Sequence, residues 1–443
     1  MGFFDRLFGN TQEEKEQPKI SFGRYTDSYK PPSRYDAWDE AQALFEQERF
    51  LESYKRFFRY LRDEEEDNVR CQEARGGLVF ELYQGSKKIT GTATPHNVRV
   101  EAKVVQAESF NVGVLRRLLE QNFDLKYSRF ALDEVGNINI VFDTYTLDGS
   151  PYKLYYALRE VAIKADKQDD LLVEEFRHLT PIETTHLEEL PQEEKATKYQ
   201  YIKEQIERVL NEIEHGKLDP HQYASSYGYL LLDLIFKLDY LIKPEGFMME
   251  SLERLHRRYY ENDGKSTAAK NEQLCQGLKA LAKRPAEDYY REMYRGRSTF
   301  GITHTVNHDR VAAIIRGELY HMDWYLEHGY DNIALAIPGY IVGFCLFNYA
   351  VPKPDRDLFH LYYQIVEGAY FRRLGFTFNY YEPATGQFDK RAIRRAISRI
   401  VDQNKAYYPQ LSFPTGSLVY DSLPAFARSY LRIIRALNLA KAI

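Results

Sequence analysis

The 443-residue chain is 44% hydrophobic and 28% charged, with a formal charge of −5. That composition suits a globular protein of two or more cored units and argues against a general nucleic-acid binder. Cys71, Cys275 and Cys345 lie far apart with no CxxC spacing, which excludes a disulfide scaffold and a thiolate zinc site and fits a reducing cytoplasm.

The opening MGFFDRLFG breaks its short apolar run with Asp5 and Arg6, so no signal peptide is expected. Arg6 stands where a myristoylation pattern wants Ser or Thr; the reading is a short amphipathic end that docks on a surface. Residues 9–35 are polar and close on Pro31–Pro32, so 1–35 reads as a poorly ordered leader by composition. From Trp38 to Leu61 apolar residues follow one long helical period, ending before the acidic run Asp63–Asp67. Gly77–Tyr83, Lys88–Thr94 and Val98–Gln106 alternate as strands.

Leu115, Leu118 and Leu119 recur at helical spacing with Arg116, Arg117 and Glu120 turned outward, so Val114–Asn122 reads as a short amphipathic helix. Arg129–Asp133 and Ile138–Asp143 form a hairpin around Gly136, and Leu154–Phe176 resumes the helical period. Helices and strands in this order give an α+β unit with an antiparallel sheet over 36–178. Residues 179–198, with Pro181, Pro191 and many charges, read as a linker. Beyond it, 199–443 reads as an all-α domain: a stripe from Ile202 to Ile213 closed by Gly216, then Tyr229–Ile242, Met248–Tyr260, Glu272–Ala282, Val311–Leu326, Leu358–Leu374, Lys390–Asn404 and Leu423–Leu439. Ile333–Val351 is long and apolar enough to span a membrane, but Pro338, Gly339, Gly343 and Asn348 favour a central buried helix, and no span is expected.

The run LRRLLEQNFDLKYSRFALDEVGNINIVFD from Leu115, followed by a long helix ending in DDLLVEEF, resembles the bacterial YbjN family, which is related in fold to type III secretion chaperones. The resemblance covers 36–178. It implies a domain that binds other proteins without catalysis or cofactor, often as a homodimer, and carries no catalytic residues across. By the same resemblance, Leu78, Phe80, Leu82, Val100 and Val104 are expected on a sheet face that presents apolar surface to a client protein.

Two other constellations compete. His304 and His308 stand four apart, close to Asp309, His321, Asp323 and His328; on one helix the first two would share a face, as metal ligands do. That points to a metal-dependent phosphohydrolase, against the plainer reading of capping and pairing, with Thr305 or Asn307 as the helix cap. Arg428, Arg432 and Arg435 make a basic helix stripe, either a site for an acidic partner in an assembly or a solvated face answering the chain's own acids. Tyr362–Tyr363, Tyr380–Tyr381 and Tyr407–Tyr408 line a groove or cover helix edges. The resulting expectation is a cytoplasmic, protein-binding adaptor or chaperone, with no nucleic acid among its partners.

Overall fold

A computed structural model describes residues 17–74, 76–106, 112–176, 178–182 and 185–441; the amphipathic N-terminal end lies outside them. Proline needs no N–H donor in a first helical turn, and α1 (Pro32–Glu46) starts on one. It stops at residues 47–49, where Glu48 takes a φ of +61°, and α2 (Phe50–Leu61) returns alongside it. Trp38 meets Tyr60, and the Ser53 hydroxyl donates to the Ala41 carbonyl at 2.7 Å, contacts that only an antiparallel helix pair can make. The single long helix expected over 38–61 is therefore a helical hairpin.

The strands β1 (Val69–Ala74), β2 (Gly77–Gln84), β3 (Lys87–Ala93) and β4 (Asn97–Gln106) precede helix α3 (Val112–Asp124), and β5 (Arg129–Leu132) and β6 (Asn137–Tyr145) follow it. They form one antiparallel sheet in the order β1-β2-β3-β4-β6-β5, and β7 (Thr180–Pro181) adds a short rung to β4. The long helix α4 (Pro151–Glu175), capped by Ser150, crosses one face. Leu78, Phe80, Leu82, Val100 and Val104 all lie in the core on that face, with Ile138, Ile140 and Phe142 of β6. Phe58 of α2 stacks 4.3 Å from Phe80. Gly91 lets the Phe80 ring lie across β3, since a Cβ there would sit 2.2 Å from it. These five residues, expected to present apolar surface to a client, are the domain's own core: α2 and α4 already cover them.

The stretch read as a linker is structured. Its β8 (Glu188–Glu189) pairs with β9 (Tyr294–Arg295), and α5 (Gln192–His215) starts inside it. Helices α6 (Ala224–Ile242), α7 (Gly246–Tyr260), α8 (Thr267–Lys283) and α9 (Ala286–Arg291) come next. After the short strand β10 (His304–Thr305) come α10 (His308–Glu318), α11 (Met322–Glu327) and α12 (Asp331–Asn348), and β11 (Tyr349–Ala350) pairs with β10. The chain ends through α13 (Lys353–Val366), α14 (Gly368–Arg373), the hairpin β12 (Tyr381–Glu382) and β13 (Gln387–Phe388), α15 (Lys390–Asn404) and α16 (Leu423–Arg435). Two stretches read as single helices, 311–326 and 358–374, are each broken in two.

The centre of this half is α6 against α12. Gly343 lets them approach, because a Cβ there would meet the Phe236 Cβ at 2.5 Å. Among the described residues α12 is the one helix long and apolar enough to cross a membrane, and 72% of it is buried in the protein.

The two halves interlock. Thr299 donates to the Tyr83 carbonyl at 2.7 Å, and Phe300 is buried in the core of the sheet. Residues 17–31, expected as a loose leader, form a strap over the helices: Phe22 packs on Phe371 and His360, and the Gly23 N–H donates to the Tyr240 carbonyl at 2.8 Å. Composition hid this because the strap has few apolar anchors and is held by polar contacts.

Candidate interaction surface

Helix α3 is apolar on two sides. Val114 and Leu118 point inward and are buried, while Val112, Leu115, Leu119 and Phe123 point outward. At the ~100° turn per residue of an α-helix these four fall within an arc of about 80°, so they form one ridge. Val112 is 82% exposed, Leu119 71% and Phe123 93%. Arg116 and Glu120 pair beside the ridge at 2.9 Å, and Arg117 reaches Glu175 of α4 at 3.4 Å.

The helix is held in place by polar contacts that leave the ridge untouched. Asn122 Oδ1 accepts the Phe130 N–H at 2.7 Å. The Glu160 carboxylate of α4 accepts the backbone N–H groups of Lys126, Tyr127 and Ser128, each at 2.9 Å, and the Ser128 hydroxyl at 2.8 Å. Burial pushes the Glu160 carboxyl up, but these donors outweigh it and hold it below the usual carboxylate value. A depressed folded-state pKa adds stability that is present above the unfolded value of ~4.3 and is lost as pH falls through the folded one. Glu160→Ala is therefore expected to cost roughly 1–2 kcal/mol at neutral pH. In urea titrations its gap from the unchanged protein should close below about pH 4.

Helix α3 packs against β5, which is an edge of the sheet. Among the described residues β6 is the one strand that pairs with β5, and the Phe130 N–H of β5 goes to Asn122 Oδ1 of α3. Leu132 at its end and Val135 in the following turn are exposed. Asp133 holds that turn by accepting the N–H groups of Val135 and Asn137 at 3.1 and 2.8 Å, and Gly136 supplies its φ of +83°. A firmly anchored helix with outward apolar side chains is what a protein-recognition surface requires.

The other expected sites fall elsewhere. His304 is exposed in β10 and His308 is the first residue of α10, so the two do not share a helix face. The His308 Nδ1 lies 2.9 Å from Asp355 Oδ1 of α13. Burial pulls its imidazole down, but the Asp355 carboxylate prevails and raises it above its usual value. Asp309 is exposed in the first turn of α10, and His321 lies against Tyr320 and Tyr229. Among the described residues no three His, Cys, Asp or Glu side chains are grouped to hold a metal ion. Asn307 caps α10, accepting the Arg310 N–H at 3.2 Å.

Arg428 meets Asp323 of α11 at 2.7 Å and Arg432 approaches the same carboxylate at 4.0 Å, leaving Arg435 exposed. The chain thus answers much of its own basic stripe. Tyr362 and Tyr363 lie deep in the core instead of covering a helix edge, and Tyr362 lines a cavity between α5, α6 and α12. The ridge itself had a signal in the sequence: apolar residues at i, i+3, i+7 and i+11 from Val112, offset from the inward pair Val114 and Leu118. Compared with protein-family models and with curated proteins, the chain matches none.

Proposed function

We propose that this chain acts by binding another protein, a client or assembly partner, which covers the outward ridge of α3. The observation that carries this reading is the ridge itself: Leu119 and Phe123 stand mostly in water on a helix whose inner face is already used by the core. Fully covering such a side chain contributes about 1.5–3 kcal/mol. The resemblance of this part of the chain to a family of protein-binding domains points the same way. Binding of this kind needs no cofactor.

The test places a photo-crosslinking amino acid at position 123 in cells, with and without Leu119→Asp. One dominant crosslinked protein, lost with Leu119→Asp, is expected. Because position 119 is exposed, the unfolding free energy of the variant should stay within about 0.5 kcal/mol of the original. No crosslinked protein, or the same products with and without the charge, would overturn the proposal. A crosslink only to a second copy would replace the client by a homodimer.

A further inference from the structure

Across 389–405 stand six cations, Lys390, Arg391, Arg394, Arg395, Arg399 and Lys405, against two acids, Asp389 and Asp402, in a chain whose formal charge is −5. Helix α15 buries Ile393 and Ile397, while all six cations are exposed. Among the described residues none of the six makes an ion pair, whereas Arg428 and Arg432 of α16 share Asp323. Asp389 is used as the helix cap, accepting the Ala392 N–H at 2.9 Å. Arg391, Arg395 and Arg399 follow one another four apart, a spacing at which like charges destabilise a helix. The fold itself gains nothing from this face.

The start of this helix adjoins the place where the first residues enter the fold. The Asp389 N–H donates to the Tyr380 carbonyl at 2.9 Å. Three residues before Tyr380, the Thr377 N–H donates to Gln17 Oε1 at 3.2 Å, and the Thr377 hydroxyl accepts from Gln17 Nε2 at 2.6 Å. Gln17 is the first described residue. An extended chain spans at most ~3.6 Å per residue, so residues 9–16 cover up to ~29 Å, more than the ~22 Å length of α15. Residues 1–8 are therefore within reach of the basic face. Their sequence, MGFFDRLF, puts Phe3, Phe4, Leu7 and Phe8 on one side of a helical period and Asp5 with Arg6 on the other.

We infer that α15 and residues 1–8 together dock the protein on an anionic membrane surface. The cations face the lipid headgroups, and the four apolar side chains enter the acyl boundary below them. Nucleic acid would answer the cations but offer the apolar residues nothing, and an uncharged bilayer would do the reverse. A single weak anchor holds a protein only marginally, whereas an apolar anchor joined to a polybasic patch holds it stably. Headgroup attraction fades within a Debye length of ~8–10 Å. The basic face therefore acts only where the apolar end brings it close, which the Gln17–Thr377 contact allows.

Flotation of the full chain tests this with vesicles of phosphatidylcholine alone and of phosphatidylcholine with phosphatidylglycerol at about 2:1. The chain is expected to float with the anionic vesicles only. Arg394→Gln combined with Arg395→Gln and Arg399→Gln, all at exposed positions, should weaken that binding about a hundredfold, and Phe4→Ser with Phe8→Ser about tenfold. Circular dichroism checks that both variants keep their helix content. No flotation with either vesicle, equal flotation with both, or either variant floating like the unchanged chain would each overturn the inference. A short DNA duplex bound as tightly as the anionic vesicles would also overturn it and assign the basic face to nucleic acid.

Discussion

Lys87→Met is expected to destabilise the protein by about 3–5 kcal/mol, read as a lower urea midpoint at an unchanged slope. Lys87 starts β3 and is 1% exposed. Its ammonium lies 2.7 Å from Asp169 Oδ2 of α4 and donates to the Val104 carbonyl at 2.8 Å. Methionine keeps the length of the stem, so the loss isolates the charge. What remains is a buried carboxylate with only Ser86 and the Asp170 N–H as donors, and Asp166 stands nearby on the same helix. Adding Asp169→Asn should return more than half of the loss, because it removes the charge left alone.

The same site makes stability depend on pH in a stated direction. Burial pushes the Asp166, Asp169 and Asp170 carboxyls up, and Glu245 is pushed up to about 7. A carboxyl with a raised folded-state pKa binds protons that the unfolded chain has already lost. Stability therefore falls as pH rises from the unfolded value near ~4 through the folded one. The protein should be more stable at about pH 5 than at about pH 8, and Lys87→Met should widen that difference.

The hydrophobic period revealed most of the elements, because strands read at 77–83, 88–94 and 98–106 and helices read at 154–176 and 390–404 reappear within a few residues. It failed where local backbone chemistry decides. The break at Glu48 needs a positive φ that no Gly or Asn announces, so the period shows one helix where two exist. Strand β1 was missed because its burial is confined to Val69 and partly Cys71, with charged residues at the open edge. The interaction surface was half legible. Leu115, Leu118 and Leu119 mark an amphipathic helix, but periodicity treats all apolar residues as core and cannot say that Leu118 faces in while Leu119 faces out. The same limit hides the role of the sheet: alternation marks Leu78, Phe80 and Val100 as one apolar face but cannot say that α2 and α4 cover it. The Lys237 ion pairs have no signal in the sequence, since Asp233 and Glu367 lie on separate elements that only the fold brings together.

Arg24→Ala is expected to cost about 3–5 kcal/mol and to free the strap that crosses the helical half. The guanidinium holds Asp239 through two nitrogens, at 2.8 Å from Nη2 and 3.0 Å from Nε, and reaches Glu253 at 3.3 Å. Its carbon lies 3.9 Å from the centre of the Phe347 ring, a cation–π contact in a desolvated setting. Asp239 is 3% exposed, so alanine leaves a buried carboxylate with no cation in contact. Lysine should not rescue the loss, because a single ammonium cannot reproduce the two-nitrogen grip. The strap is otherwise fixed by few apolar anchors, Phe22 being the chief one, so the loss should be local as well as global. Hydrogen exchange at Gly23, whose N–H is bonded to the Tyr240 carbonyl, is expected to quicken more than exchange in α6. Equal quickening at both would show that the strap and the helices open together and that Arg24 acts on the whole half. A double-variant cycle with Asp239→Asn separates the pair from the ring contact, since the cation–π contribution survives that second change.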